Sequence, residues 1–162
     1  VAPSEIRVEA DELTYNLHIL LRFELEVAIM EEKLSVADLP EAWNAKMEEY
    51  LGLTPENDAQ GVLQDVHWSA GLFGYFPTYS IGNVLSVQLF DTATEQRPEI
   101  KEEISWGEFD TLRGWLRENV HRYGSKYEPE DLVQRATGRP LDTQPYLEHL
   151  RTKFGELYDL GR

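Results

Sequence analysis

The chain has 162 residues, 41% of them hydrophobic, with 11 Gly, 8 Pro and no Cys, enough for one domain with a core of its own. No apolar run approaches the roughly 18 to 20 residues a membrane-spanning helix needs, and the lack of Cys excludes disulfides, thiolate-held metals and a Cys nucleophile. Thirty acidic against fifteen basic residues leave a net charge of −15, distributed as −8 over residues 1–50, −5 over 51–100 and −2 over the remainder; such a field disfavours nucleic acid and anionic membrane surfaces as partners.

The opening VAPSEIRVEADE has neither a basic segment nor an apolar stretch of signal-peptide type. Ile6, Val8 and Ala10 alternate with Arg7 and Glu9, which predicts a short strand-like entry. Ser4 or Asp11 is placed to cap a first helix over about 10–32, in which Leu13, Leu17, Leu20, Leu21, Val27 and Ala28 recur at helical spacing. Asp38 is placed to cap a second helix, 39–51, with Pro40 in its first turn and Gly52 at its end. A loop over 52–60 leads into GVLQDVHWSAGLFGYFPTYSIGN, rich in Gly and aromatic residues, where short, tightly packed elements are expected. A helix over about 78–96 follows, with Gly82 early in it as a point of close approach. Further helices are expected over 108–123, closed by Gly124, over 129–136, closed by Gly138, and over 144–160. The reading is an all-α protein of five or six helices, a single helical domain over 1–162.

Four His are present without any HxH, HxxxH or HExxH pairing, so the chain offers no paired metal ligands. His18, within the first helix, reads as a packed imidazole, and His121 and His149 read as surface residues. His67 differs, because Gln64, Asp65, Trp68, Tyr75, Tyr79 and Asn83 surround it in sequence. Rigid aromatic area with a few directed polar groups makes a pocket wall, and Tyr and His can donate to a developing oxyanion; the competing reading is an aromatic core with satisfied hydroxyls. Arg7, flanked by Ile6 and Val8, reads as an ion pair with Glu9, Asp11, Glu12 or a neighbouring element, or else as a fixed guanidinium that takes a carboxylate bidentately.

The stretches IRVEADELTYNLHILLRFELE, DLPEAWNAKMEEYLG, GVLQDVHWSAGLFGYFPTYSIGN, ISWGEFDTLRGWLRENVHRYGSKY and YLEHLRTKFGELY, in that order from Ile6 to Tyr158, closely resemble the C-terminal third of the thermostable carboxypeptidase (carboxypeptidase Taq, M32) family. That resemblance implies the helical fold of an HExxH-type zinc peptidase of about 500 residues, which removes C-terminal amino acids from peptides, commonly as a homodimer and here expected in the cytoplasm. It implies that Arg7 binds the free carboxylate of the substrate, and that Gln64 and Asp65 of the QDxHW motif belong with it among the substrate-binding residues. His67 and Tyr75 or Tyr79 would orient the substrate or stabilise its tetrahedral oxyanion. The family's zinc ligands lie in a part that precedes this segment, so the chain is expected to hold no metal, to be a C-terminal fragment and to be inactive without its zinc-bearing N-terminal partner. A rival expectation is a non-catalytic helical module for interaction or assembly, derived from that family.

Overall fold

The computed structural model describes residues 1–161. More than half of them are α-helical, in seven helices, and the described residues contain no strand. None of these helices is long and apolar enough to cross a membrane. The chain separates into two compact units, Val1–Ile81 and Gly82–Arg162.

The first unit is built on α1 (Tyr15–Met30) and α2 (Leu39–Leu51). In α2, Leu39, Trp43 and Met47 repeat every four residues, which stacks them on one face; with Leu51 they pack against Leu21 and Leu25 of α1. Gly52 ends α2 in the left-handed region at φ 67°, where its N–H returns to the Glu48 carbonyl. Asp38 does not cap α2 through its side chain: it has already turned into helical backbone, and its carboxylate accepts the Ser35 hydroxyl instead. Asp11, by contrast, does cap. Its Oδ1 accepts the N–H groups of Leu13 and Thr14, both at 3.0 Å, and closes the turn that leads into α1.

At the start of the chain one expectation fails and another holds only in part. Residues 7–9 form a single 3₁₀ turn, not a strand, because no second extended segment is there to pair with them. The expected apolar stripe of α1 is met only in part: Leu21 is buried and Leu17 packs against the core. His18, Ile19, Leu21, Arg22, Leu25 and Glu26 are buried, while Leu13, Leu20 and Val27 remain exposed. Apolar residues occur nearly all round this helix, so what decides its orientation is the polar pair Arg22 and Glu26, spaced by one turn, which has partners in the segment 64–74.

In the second unit, α4 (Ile100–Ser105) and α5 (Asp110–Asn119) bring Ile100 and Trp115 onto Ala93 of α3 (Pro77–Gln96). The Trp115 indole donates to Gln96 at 2.8 Å. Buried Gln88 ties α3 to the end of α6 (Pro129–Thr137), with its amide donating to Thr137 and the Pro140 carbonyl and its oxygen accepting from the Asp142 N–H. The helix expected over 108–123 stops at Asn119 and tightens into a 3₁₀ turn at His121–Tyr123, and the last helix, α7, covers Gln144–Leu157. At Gly82 a side chain would meet nothing within 4 Å, so no close approach explains that glycine. α4 was not expected from sequence, since six residues carry too few apolar positions to show a period.

Candidate functional site

The site is assembled in the first unit from the 3₁₀ turn, from α1 and from the turn-rich segment 61–76. Gln64 joins the first of these to the third. Its amide nitrogen donates to the carbonyls of Glu5 (3.1 Å) and Gln60 (2.7 Å), which fixes the amide's orientation. Its oxygen then accepts from the Arg7 backbone N–H at 2.9 Å and from Arg22 Nη2 at 2.8 Å. One side chain thus sets the position of the arginine backbone before any charge is considered.

The charges meet at Asp65. Arg7 grips it side-on, with Nε at 3.2 Å and Nη2 at 2.7 Å from Oδ1, and Arg22 Nε donates to Oδ2 at 2.7 Å. Arg7 Nη1 donates to the Tyr15 hydroxyl, and its guanidinium lies over the Tyr79 ring at 4.8 Å. Arg22 is fully buried; it also donates to the His18 carbonyl and stacks on the Trp43 ring at 4.5 Å. Arg7 therefore ion-pairs with a residue 58 positions away and not with Glu9, Asp11 or Glu12.

Burial raises the Asp65 carboxyl, but the two arginines outweigh it and hold the group below the ordinary carboxylate range. Burial pushes Arg7 down, and its bonds to Asp65 and Tyr15 more than offset this, so its pKa ends above the usual value. Arg22 is pushed down to about 10, by burial first and then by repulsion from Arg7, and remains charged at neutral pH. His18 is pushed down to about 4 by burial and by the charges of Arg22 and Arg7, so it is neutral.

The state of His18 has a consequence for stability. Its folded pKa lies below the ordinary value of 6.5, so the unfolded chain takes up a proton first as pH falls. The resulting loss begins near pH 6.5 and is complete below pH 4, and amounts to about 3 kcal/mol. Replacement of His18 by Gln is expected to flatten that part of the pH–stability curve, as urea unfolding between pH 4 and 7 will show. An unchanged slope would remove His18 as its source.

His67 occupies the border between the charged cluster and the aromatic residues. Its Nε2 is 2.9 Å from the Tyr79 hydroxyl, and its Nδ1 is 3.7 Å from Asp65 Oδ1. The bond to Tyr79 is the one hydrogen bond of the imidazole among the described residues. The imidazole is packed on Phe76 and Tyr75. Tyr75 itself is 44% exposed, and its hydroxyl has no hydrogen bond among the described residues. The two tyrosines thus differ in state, one engaged by His67 and the other open.

Glu26 holds this segment in place from α1. Its buried carboxylate accepts the Trp68 indole N–H at 2.7 Å and the Gly74 backbone N–H. Gly74 has φ 81°, a conformation that favours glycine, and it turns the chain into Tyr75–Tyr79. The sequence expectations named Arg7, Gln64, Asp65, His67, Tyr75 and Tyr79, and the structure brings all six together; Asn83 falls in the second unit. Arg22 and Glu26 were missed. The available signal for Arg22 was that it is the single basic residue between Arg7 and Lys33, set between Leu21 and Phe23.

The comparisons agree with one another. The model of the carboxypeptidase Taq (M32) metallopeptidase family matches residues 1–154. Carboxypeptidase 1 of Bacillus subtilis is 47% identical over 156 residues, and thermostable carboxypeptidase 1 of Thermus thermophilus is 48% identical over 158. These matches cover 96% and 98% of this chain but 31% of each relative, so the chain spans about a third of their length. The crystal structure of an M32 carboxypeptidase from Deinococcus radiodurans superposes with a TM-score of 0.93 at 49% identity, covering 98% of this chain and 32% of that one. On this evidence the chain belongs to the carboxypeptidase Taq (M32) family of metallopeptidases.

Proposed function

We propose that this chain supplies the substrate-carboxylate wall of a zinc-dependent carboxypeptidase that removes C-terminal amino acids from peptides. One observation carries the reading. Arg7 and Arg22 share the single carboxylate of Asp65 beside a neutral His18, so the cluster has a formal charge of +1 next to the open hydroxyl of Tyr75. A terminal carboxylate neutralises that charge, whereas the neutral carbonyl of an internal peptide does not. In this reading Arg7 takes the carboxylate, while Gln64 and Asp65 fix Arg7. Tyr79 and His67 hold each other, and Tyr75 is the hydroxyl free to donate to the oxygen on which charge develops.

Among the described residues no three His, Asp or Glu side chains form a group able to hold a metal ion, so no step of the reaction is routed through zinc by these residues. Zinc, with its activated water, would come from a separate part of a longer enzyme. The chain alone is expected neither to retain zinc on dialysis nor to cleave a blocked dipeptide.

The test is a titration of the chain with an N-acetylated dipeptide and with its C-terminal amide, followed through the Arg7 amide and Trp68 indole signals by NMR. The free acid is expected to bind about ten- to a hundredfold more tightly, since a hydrogen bond between charged groups contributes roughly 1.5–3 kcal/mol. Equal affinities would remove the carboxylate assignment. A second reading, a helical assembly module, draws on the exposed Leu63, Val66, Leu72 and Phe73. Equal affinities together with a concentration-dependent increase in sedimentation coefficient would favour it.

A further inference from the structure

A buried one-to-one pair of Arg7 with Asp65 would be balanced in charge. The fold instead adds Arg22, wholly enclosed, to the same carboxylate. Each ion taken out of water costs several kcal/mol, and the second arginine also repels the first. Stacking on Trp43 and the hydrogen bonds to His18 and Gln64 offset part of that cost. They leave the charge itself unbalanced. Glu26, one turn along α1, stands outside this ion pair: its carboxylate accepts from Trp68 and Gly74, and it forms no ion pair with either arginine among the described residues.

We infer that Arg22 is a specificity-determining residue that touches no substrate: by taking one oxygen of Asp65 it leaves Arg7 with a positive charge that only a ligand carboxylate completes. Arg22 is a positioning residue as well, since it and the Arg7 backbone share the oxygen of Gln64. The electrostatic role separates from the positional one because the two respond differently to changes of charge. The inference rests on the reading of the cluster as a carboxylate receptor.

The test compares the free acid and the amide of the N-acetylated dipeptide on the full chain, as a ratio of dissociation constants. Arg22→Met brings the formal charge of the cluster to zero, and the ratio is expected to fall about tenfold, with smaller change in amide affinity. Arg22→Lys keeps the charge and is expected to keep most of the ratio. The double variant Arg22→Met with Asp65→Asn restores +1 through Arg7 alone and is expected to recover the preference lost in Arg22→Met. A residue that acts through geometry alone predicts the opposite, a double variant worse than either single one.

If Arg22→Met does not fold, the double variant, which leaves no under-paired carboxylate at position 65, is compared with the wild type directly. Preference retained supports the inference, and preference lost overturns it. A wild-type ratio near one overturns both this inference and the carboxylate reading beneath it. A clear wild-type ratio that Arg22→Met leaves unchanged overturns the role of Arg22 alone.

Discussion

Replacement of Asp65 by Ala is expected to destabilise the first unit by about 3–5 kcal/mol, the range for breaking a buried ion pair by removal of one partner. The magnitude follows from what remains. Arg7 and Arg22 keep their positions on the 3₁₀ turn and α1, both buried, and face each other without the carboxylate that now lies within 2.7 Å of each. Asp65→Asn retains an acceptor for one arginine and is expected to lose less than the Ala variant, about 2–3 kcal/mol. Urea midpoints at constant m-value measure both. A loss below about 1 kcal/mol for Asp65→Ala would mean that the arginines find water, and that the cluster is far less enclosed than its geometry indicates. The carboxylate also contributes stability only where it is ionised. Its folded pKa is held below the unfolded value, so the contribution is present above the unfolded pKa and is lost as pH falls through the folded one.

The sequence was most legible where a local signal fixes a local structure. Pro40 and Gly52 bound α2 at the residues expected, and Pro129 with Gly138 bound α6 to within one residue, since proline at a helix start and a left-handed glycine after its end act without help from the rest of the chain. The orientation of α1 was not legible. Hydrophobic spacing selected Leu13, Leu20 and Val27, yet a helix with apolar residues on most sides has no unique stripe. Its buried face is chosen by two polar residues, Arg22 and Glu26, whose partners lie some forty positions away.

The site divides along the same line. Gly and aromatic density singled out the segment with His67, Tyr75 and Tyr79, because those residue types are unusual together in any context. Arg7 stands out in the sequence, but the sequence names only Glu9, Asp11 and Glu12 as acids near it and leaves a partner in a neighbouring element without a number. Asp11 is occupied in capping the turn before α1, and Asp65 reaches Arg7 only because Gln64 ties its segment to the 3₁₀ turn. A pairing across 58 residues depends on tertiary structure, and one sequence read by period and propensity does not hold it. Arg22 illustrates the limit: a basic residue in a glutamate-rich helix reads as a surface charge, and only its complete burial reveals its part in the cluster.

Replacement of Arg7 is expected to weaken binding of the free-acid dipeptide about ten- to a hundredfold, as the loss of a hydrogen bond between charged groups implies, with much less effect on the amide. Arg7→Lys keeps the charge but loses the planar fork; it cannot reach Asp65 through two nitrogens and Tyr15 through a third at once. Its effect on the free acid is therefore expected to be intermediate, and that of Arg7→Ala complete. Both variants will also lower stability: in Arg7→Ala, Asp65 depends on Arg22 alone and the Tyr79 ring loses the cation over its face, and in Arg7→Lys the two-nitrogen grip on Asp65 and the bond to Tyr15 cannot both be kept. Stability loss by itself says nothing about substrate, so the decisive quantity is the free-acid to amide ratio at a temperature where each variant is fully folded. A scaffold role predicts that both ligands weaken by the same factor, since a displaced Tyr75 and His67 serve them equally. A carboxylate clamp predicts that the ratio collapses toward one while the amide, which brings no negative charge for Arg7 to hold, changes little. Parallel losses for the two ligands would transfer Arg7 from the substrate wall to the framework, together with Gln64 and Asp65, whose geometry serves mainly to fix it.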